Sequence, residues 1–458
     1  MKRIYTPLLA IIIILIIISQ GFSQTVAISG AVKTNINVKT YEGLLPGRIA
    51  PDAVKLEIDN FGDIVDGACI VQKGNLQALV NFDGQLIIPW GKYSFPEGFT
   101  AERIYHRSLI PVKDTRSQLE GFVNSSGKVI IPLIYKSVEL FDMYGIARVM
   151  DTKFNCVYLN ADGEMIQLTS GLSNLDPAFV RPNAKLSTTH DRIMFRKSKI
   201  IKTKTTIGGT LPYVGFLTDR GKMVVSNDYP DGGVFTEGLA PVQQIDQFQV
   251  SKWGFIDKAG KLVIPFTYQI KPGNFHNGLA LVQAKTVADF RFAYINKEGV
   301  IKIKLGGAER DYYSPLLFDK NSLYSELDQK AGAFMGKYSF WKYKEEIVLV
   351  DTTGKFYKVQ DFVNDKALQQ SVAGIGILAL RNTGILFRDL SKPDSNNNLG
   401  VMDYAGNILF PASFNRIFPD SYSDYATATI WKTGSEPVSG IVNKQGVFVL
   451  IKQNSTTF

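Results

Sequence analysis

The chain repeats one short pattern nine times, and this pattern constrains the fold more than any other feature of its 458 residues. Each copy is an apolar run, then usually Asn or Asp with glycine three residues later, then a second apolar run. The clearest copy, WGFIDKAGKLVIP, contains Trp253, Gly254, Asp257 and Gly260. The other turn pairs are Asn81 and Gly84, Asn124 and Gly127, Asn160 and Gly163, Thr218 and Gly221, Asn296 and Gly299, Asp351 and Gly354, Asp403 and Gly406, and Asn443 and Gly446.

This spacing predicts a β-hairpin in each copy. An Asn or Asp side chain can accept a hydrogen bond from a backbone N–H two residues on, and glycine permits the positive φ that closes a short hairpin loop. The residue four before the glycine is aliphatic or Met in every copy, and the residue two after it is always apolar. Proline stands five residues after the glycine in four copies, and we expect it to end the second strand because it lacks an N–H for the ladder. These prolines are Pro89, Pro132, Pro265 and Pro411.

A looser second half follows each hairpin, as in residues 235–242 and 275–282, so that one repeat comprises about three short strands. Successive motif glycines are 36 to 58 residues apart, with a basic period near 40. The predicted fold class is therefore all-β, built from tandem β-hairpin repeats of about 40 residues, with no helix longer than about three turns. Units of this size favour one or two propeller-like rings. An open twisted β-repeat array is the alternative, because the longest spacings fit a closed ring poorly.

The segment WGFIDKAGKLVIPFTY, with FHNGLALVQ shortly after it, resembles the WG repeat, also called the KWG repeat, of exported and cytoplasmic bacterial proteins. The resemblance is strongest over residues 252–283 and extends to 121–149, 215–243 and 400–418, although the Trp-Gly pair itself occurs once. The resemblance implies repetitive β structure and a binding or scaffold role. It implies no catalytic residues.

The N-terminus has the three parts of a secretory signal peptide: Lys2 and Arg3, an apolar run over 8–18, and the small residues Gly21 and Ser23 before a cleavage point at Gln24. An uncleaved membrane anchor is the alternative, but the apolar run is about half of the ~20 residues that a span needs. We therefore expect export to the periplasm, outer surface or extracellular space of a bacterium, without stable membrane insertion after cleavage.

The pattern along the chain suggests five parts. They are a signal peptide (1–23), an N-terminal lead-in or cap (24–55), WG-like repeats (56–305) with an insertion at 171–213, an irregular insertion (306–345), and degenerate WG-like repeats (346–458).

Composition argues against several classes of function. The net charge of +9 is scattered, without an arginine-rich run or an aromatic–basic motif, so no nucleic-acid partner is expected. His106, His190 and His276 lack metal-ligand spacing, and no catalytic or cofactor-binding motif occurs, so we expect neither a metal nor a cofactor. Cys69 and Cys156 lie in apolar runs and are expected to be buried thiols, with a disulfide as the alternative.

These observations predict an exported, non-catalytic repeat protein that acts as a binding or scaffold module through the loops and aromatic surface of its β-repeats. Its partner would be a protein or an envelope ligand whose identity the sequence does not specify. The alternative is a hydrolase-like enzyme with a site built from the insertions at 171–213 and 306–345. The acids available there include Asp191, Glu309, Asp311, Glu326 and Asp328.

Overall fold

The chain folds into a succession of small antiparallel sheets. The structure is a computed structural model that describes residues 40–95, 108–141, 145–166, 193–202, 207–218, 223–283, 292–305, 313–315, 332–344, 346–371, 374–381, 384–392, 398–419, 424–431, 434 and 436–453. Within these residues there are 34 strands in nine sheets, and eight of the sheets carry a described copy of the repeated turn.

The sheets are numbered in chain order. The first strand, β1 (Ile49–Leu56), belongs to sheet 9. Sheet 1 contains β2 (Asn60–Val65), β3 (Ala68–Lys73), β4 (Leu76–Asn81) and β5 (Leu86–Ile88). Sheet 2 contains β6 (Tyr93–Ser94), β7 (Ile110–Asp114), β8 (Glu120–Val123) and β9 (Val129–Tyr135). Sheet 3 contains β10 (Ser137–Val138), β11 (Ile146–Met150), β12 (Cys156–Asn160) and β13 (Met165–Ile166).

The next three sheets have three strands each. Sheet 4 contains β14 (Ile193–Lys202), β15 (Ile207–Leu217) and β16 (Met223–Tyr229). Sheet 5 contains β17 (Leu239–Ile245), β18 (Ser251–Asp257) and β19 (Leu262–Tyr268). Sheet 6 contains β20 (Ala280–Gln283), β21 (Phe292–Ile295) and β22 (Ile301–Leu305).

The last three sheets follow the same order. Sheet 7 contains β23 (Tyr313–Pro315), β24 (Tyr338–Tyr343), β25 (Glu346–Asp351) and β26 (Phe356–Lys358), followed by the helices α1 (Val359–Phe362) and α2 (Lys366–Gln369). Sheet 8 contains β27 (Ile375–Arg381), β28 (Gly384–Asp389), β29 (Leu399–Met402) and β30 (Ile408–Phe414). Sheet 9 contains β31 (Arg416–Pro419), β32 (Tyr425–Ile430), β33 (Val438–Asn443), β34 (Phe448–Lys452) and β1.

The repeated pattern explains how each sheet joins the core. The aliphatic or Met residue four before the motif glycine is almost completely buried in all nine copies, as at Val123 and Ile256. Burial of one such side chain contributes about 1.5–3 kcal/mol, so nine equivalent positions supply a regular apolar layer.

Neighbouring sheets are joined by apolar clusters. Eight clusters among the described residues connect sheets 1 and 2, 2 and 3, 4 and 5, 5 and 6, 6 and 7, 7 and 8, 8 and 9, and 9 and 1. The last of these places Tyr425 and Leu450 of sheet 9 against Cys69 and Val80 of sheet 1. The end of the chain therefore packs against its beginning.

β1 strengthens this contact between the two ends. It pairs in parallel with β34, with Ile49 opposite Phe448 and Lys55 opposite Ile451. In the other eight sheets the last strand is at the sheet edge within the described residues. β34 is accordingly buried along nearly its whole length, whereas the equivalent β19 exposes several side chains.

The prediction of an all-β chain of tandem hairpin repeats is confirmed. The two helices among the described residues have four residues each, so neither is long enough to cross a bilayer. The predicted role of three prolines is wrong, because Pro132, Pro265 and Pro411 lie inside β9, β19 and β30. The missing N–H is tolerated there because these are edge strands, and each proline lies in an irregular stretch of the ladder.

Candidate binding surface

The motif turns, meaning the Asx-x-x-Gly turns of the repeat, lie at one end of the sheets in the eight copies that the structure describes. In sheet 5 the Oδ1 atom of Asp257 accepts hydrogen bonds from the N–H groups of Ala259 and Lys261, both at 2.9 Å, and Gly260 has a φ of 86°. The same two-bond pattern is formed by Asn81, Asn124, Asn160, Asp351, Asp403 and Asn443, while Asn296 accepts from the N–H of Val300. Thr218 directly follows β15, and Gly221 lies outside the described residues.

Each described motif glycine also contacts the sheet before it. A Cβ atom on Gly260 would lie 3.1 Å from Val225 Cγ2 in sheet 4, and one on Gly299 would lie 3.2 Å from Ile264 Cγ2 in sheet 5. Gly84, Gly127, Gly163, Gly354, Gly406 and Gly446 meet the preceding sheet, or the chain segment after it, in the same way. The consecutive sheets that these contacts join therefore share one orientation, with their motif turns along a common edge.

The Trp-Gly pair that begins the clearest repeat has a packing role. Trp253 is buried, and the ammonium group of Lys271 lies 5.1 Å from the centroid of its indole ring. Lys271 donates to the carbonyl of Gly232 at 2.8 Å and lies 3.3 Å from the Asp231 carboxylate. A Cβ atom on Gly254 would lie 2.5 Å from the carbonyl oxygen of Ile264, so a larger residue would displace the neighbouring strand.

The apolar residue two after the motif glycine is not a core residue in most copies. Seven of these side chains are between 40 and 51% exposed: Leu86, Val129, Met165, Met223, Leu262, Ile301 and Phe356. Ile408 is half-buried, and Phe448 in sheet 9 is completely buried. The sequence shows that this position is apolar but not that its side chain is exposed, because the pattern does not reveal which strand lies at the sheet edge.

The opposite end of the sheets carries a second set of turns, which we call the tip hairpins. They join the second-last and third-last strands of each sheet, or β32 and β33 in sheet 9. Asp151 and Asp246 form the two-bond Asx turn there, but a non-glycine residue adopts the positive φ, 65° at Phe154 and 61° at Gln249. The Asx-x-x-Gly pattern does not include these turns because their last position is not glycine.

Among the described residues, most of the exposed Phe and Trp side chains lie in the tip hairpins. Phe154 in sheet 3 is 69% exposed, Phe248 in sheet 5 is 75% exposed, and Trp431 in sheet 9 is 52% exposed. The Arg416 guanidinium lies 5.8 Å from the centroid of the Trp431 ring. Aromatic side chains, Trp and Tyr above all, are enriched among the residues that contribute most to binding at protein interfaces. The tip hairpins are therefore the candidate binding surface.

Hydrogen bonds within the motif turns explain the presence and the pKa of the motif carboxylates, as at Asp351. Burial raises the pKa of the Asp351 carboxyl, but hydrogen bonds from Thr353, the Lys355 N–H and the Tyr357 hydroxyl outweigh burial and hold this pKa at about 2. The bond from Tyr357 at 2.9 Å also raises the pKa of that phenol. These lone pairs are directed at donors of the same hairpin, which is the arrangement of a structural turn.

The other candidate metal-binding and catalytic side chains do not come together within the part of the chain that is described. No three His, Cys, Asp or Glu side chains there come together as metal ligands. His276 lies in a turn of sheet 6, and Cys69 is buried with its thiol 3.3 Å from the Ile70 carbonyl oxygen. His106, His190 and the acids Asp191, Glu309, Asp311, Glu326 and Asp328 lie outside the described residues, as does the side chain of Cys156.

Comparison with protein-family models finds the repeat. The model described as "WG containing repeat" matches residues 121–151 and 253–285, so the chain contains WG repeats at these positions. The second match begins in β18 of sheet 5 and ends after β20 of sheet 6. The sequence repeat is therefore out of phase with the sheets, and each copy covalently joins two of them.

Solved structures with some similarity are distant in sequence. Hsv2 from Kluyvelomyces marxianus is 7% identical, with 87% of this chain and 97% of Hsv2 aligned at a TM-score of 0.26. PorZ, a surface component of the type-IX secretion system of Porphyromonas gingivalis, is 12% identical over 85% of this chain and 58% of PorZ, with a TM-score of 0.18. Prolyl oligopeptidase B from Galerina marginata is 11% identical over 85% and 55%, with a TM-score of 0.26. No curated protein matches the chain significantly.

Proposed function

We propose that this WG-repeat chain is an exported, non-catalytic binding module that holds a partner on its tip hairpins. The observation that carries the proposal is the exposure of Phe154, Phe248 and Trp431 at equivalent ends of three different sheets. Leaving large aromatic rings in water is unfavourable, and a rigid scaffold that presents several such rings is suited to binding. The motif turns at the other end serve the scaffold.

In the proposed architecture the nine sheets form a closed, propeller-like ring rather than an open array. Two observations support closure: the pairing of β1 with β34, and the apolar cluster between sheets 9 and 1. An open array would leave the outer faces of its first and last sheets exposed, and apolar faces of that size require capping. A ring places the tip hairpins along one rim.

Export is the second part of the proposal. It rests on the basic, apolar and small-residue segments of residues 1–23. Mass spectrometry of the protein from producing cells should find an N-terminus at or near Gln24. Recovery of the chain in membranes with residues 1–23 retained would contradict cleavage.

The binding surface can be tested by photocrosslinking in intact cells. A photoreactive benzoylphenylalanine is introduced singly at Phe154, Phe248 or Trp431, and at Phe356 or Leu262 as controls that are exposed near the motif turns. We expect discrete crosslinked species from the tip positions and none from the controls. Equal crosslinking from both ends, or none from the tips, would contradict the assignment of the surface.

A further inference from the structure

The pairing of β1 with β34 shows how the outer edge of a repeat sheet can hold an added strand. In sheet 9 the N–H of Phe448 donates to the carbonyl oxygen of Arg48 at 2.9 Å, and the N–H of Gln453 donates to that of Leu56 at 2.8 Å. Ile451 lies two residues before Gln453, so its N–H points to the same side, toward β1. A parallel strand is therefore held at this edge through the backbone.

Most of the equivalent edges are unsuited to such pairing. In three of them the residue at the position of Ile451 is a proline, which has no N–H to donate: Pro132 of β9, Pro265 of β19 and Pro411 of β30. In sheet 1, Pro89 comes directly after β5. β13 and β26 have two and three residues, and the turn before β16 lies outside the described residues.

The edge strand β22 of sheet 6 differs from these. It has five residues, it is at the edge of its sheet within the described residues, and Lys304 occupies the position of the prolines. β22 pairs with β21 through the same register shift that β34 has on β33. The N–H of Lys304 therefore points away from the sheet, as that of Ile451 does.

β22 also exposes apolar side chains where sheet 9 buries them. Ile301 is 40% exposed, although Phe448 at the same repeat position is completely buried beneath β1. Val300, directly before β22, is 52% exposed. Covering these side chains with another strand would be favourable, because it removes apolar surface from water.

The charge on β22 indicates which kind of strand fits. β22 carries Lys302 and Lys304, both exposed, and contains no acid. Like charges on adjacent strands are destabilising and opposite charges are stabilising, so pairing with β22 of a second copy is unfavourable. A strand that alternates aliphatic with acidic residues fits better. Its aliphatic side chains can pack beside Ile301, and its acids can pair with Lys302.

We propose that the open edge of β22 binds an extended segment of a partner protein by β-strand addition, in the parallel direction that β1 takes on β34. The segment alternates aliphatic with acidic residues. In this mode of recognition main-chain hydrogen bonds give affinity and alternate side chains give specificity. β22 begins at a motif turn, so this site lies apart from the tip hairpins and is tested independently of them.

Fluorescence anisotropy with synthetic peptides tests the inference on the purified chain. The probe is a labelled peptide of about eight residues in which valine alternates with glutamate, which is long enough to span β22. One control peptide has lysine in place of glutamate. A second control carries an N-methyl group on each backbone nitrogen, which keeps the side chains and charges but removes the backbone donors.

Three variants of the chain are compared with the wild type. Lys304→Pro introduces the residue that β9, β19 and β30 accommodate at the same position. Lys304→Ala is its matched control, because it loses the charge but keeps the N–H. Lys302→Glu reverses the charge beside the added strand. Thermal melts verify that each variant is folded.

We expect the valine–glutamate peptide to bind to the wild type and the N-methylated peptide not to bind. Lys304→Pro should weaken binding by about tenfold or more, because it removes a backbone donor and its ring occupies the place of the added strand. Lys304→Ala should weaken binding by only about twofold, as expected for a single exposed charge. Lys302→Glu should shift the preference toward the valine–lysine peptide.

Equal losses in Lys304→Pro and Lys304→Ala would show that the peptide recognises charge and not the backbone of β22, and would overturn the proposal. Absence of binding between the valine–glutamate peptide and the wild type would also overturn it. Binding of the N-methylated peptide as tightly as the probe would do the same, and this comparison decides the question even where Lys304→Pro does not fold.

Discussion

Phe448 lies opposite Ile49 across the parallel pair of β34 and β1, and its ring meets that of Phe414 at 6.2 Å between centroids. Phe356 occupies the same repeat position in sheet 7 but is 43% exposed. The two residues share side chain and motif position but differ in what covers them. We therefore expect Phe448→Ala to lower the free energy of unfolding by about 3–5 kcal/mol and Phe356→Ala to lower it by less than about 1 kcal/mol.

Chemical denaturation of the two alanine variants measures this difference. Similar losses of stability would mean that β1 does not cover the last sheet in solution, and the closed ring would then be wrong. Phe356→Ala also controls for the loss of an aromatic side chain as such.

The motif glycines should tolerate a side chain less well than a glycine of the same backbone conformation outside the motif. Gly406 has a φ of 86°, and a Cβ atom there would overlap the carbonyl oxygen of Phe362, whereas Gly278 has a φ of 74° with open space around it. Gly278→Ala should cost about 1 kcal/mol from the backbone alone. Gly406→Ala and Gly260→Val should cost clearly more, because the left-handed backbone and the preceding sheet both oppose the side chain.

Thermal melts rank these glycine variants. Equal shifts in melting temperature for Gly406→Ala and Gly278→Ala would contradict the packing of the motif turn on the preceding sheet. The segment with Gly306 and Gly307 lies outside the motif, and substitutions there are predicted to be tolerated.

The turn of sheet 7 should contribute to the pH dependence of stability. The pKa of Asp351 is about 2 in the folded chain, below its ordinary value of 3.8, so the folded state favours the ionised carboxylate. This contribution is present above pH 3.8 and is lost as the pH falls towards 2. Asp351→Asn should therefore flatten the acid limb of the stability curve between these values. A wild-type curve unchanged by the substitution would contradict the hydrogen-bonded turn.

A tip hairpin offers a stabilising change. Gln249 is exposed and has a φ of 61°, which costs a non-glycine residue roughly 1 kcal/mol. Gln249→Gly should raise the free energy of unfolding by up to about 1 kcal/mol, less the extra chain entropy of glycine when unfolded. Gln244→Gly, in the interior of β17, should instead lower it by about 0.5–1 kcal/mol. Urea titration distinguishes the two, and a destabilised Gln249→Gly variant would contradict the strained turn.

The sequence predicted the repeated unit well because its determinants are local. An Asx residue and a glycine three positions apart define a hairpin through hydrogen bonds and backbone conformation within five residues, as at Asp257 and Gly260. The buried position four before the glycine could likewise be identified from its apolar pattern, because every copy shows it.

Features that depend on distant pairing could not be predicted. The residues that become β1 carry no repeat motif, and their pairing with β34 joins opposite ends of the chain. The exposure of Leu262 depends on β19 being an edge strand, and the position of Pro265 inside that strand depends on an irregularity in its ladder. The candidate surface was foreseen only as loops and aromatic residues. Phe154 and Phe248 were missed because no motif distinguishes them from core aromatics.

The prolines five residues after the motif glycines also affect whether an edge strand can pair with a strand of another molecule. Where the last strand has a bare edge, four copies place a proline five residues after the glycine, whereas the ninth copy has Ile451, whose backbone pairs with Lys55. Proline on an edge strand withholds the donor that a foreign strand would need. These copies are thus protected against aggregation, whereas the backbone of the last copy remains able to pair with another strand.

Because β34 pairs with β1, the fold can be completed only after the last residues have been synthesised. Single sheets can form from neighbouring hairpins as they emerge, but β34 meets β1 only after about 400 residues of intervening chain. Until then the apolar faces of sheets 1 and 8 that sheet 9 covers remain open to other molecules. A chain that terminates just before Phe448 would keep its earlier sheets yet leave β1 unpaired, and it should be a target for chaperones and proteases rather than a slightly shortened working protein.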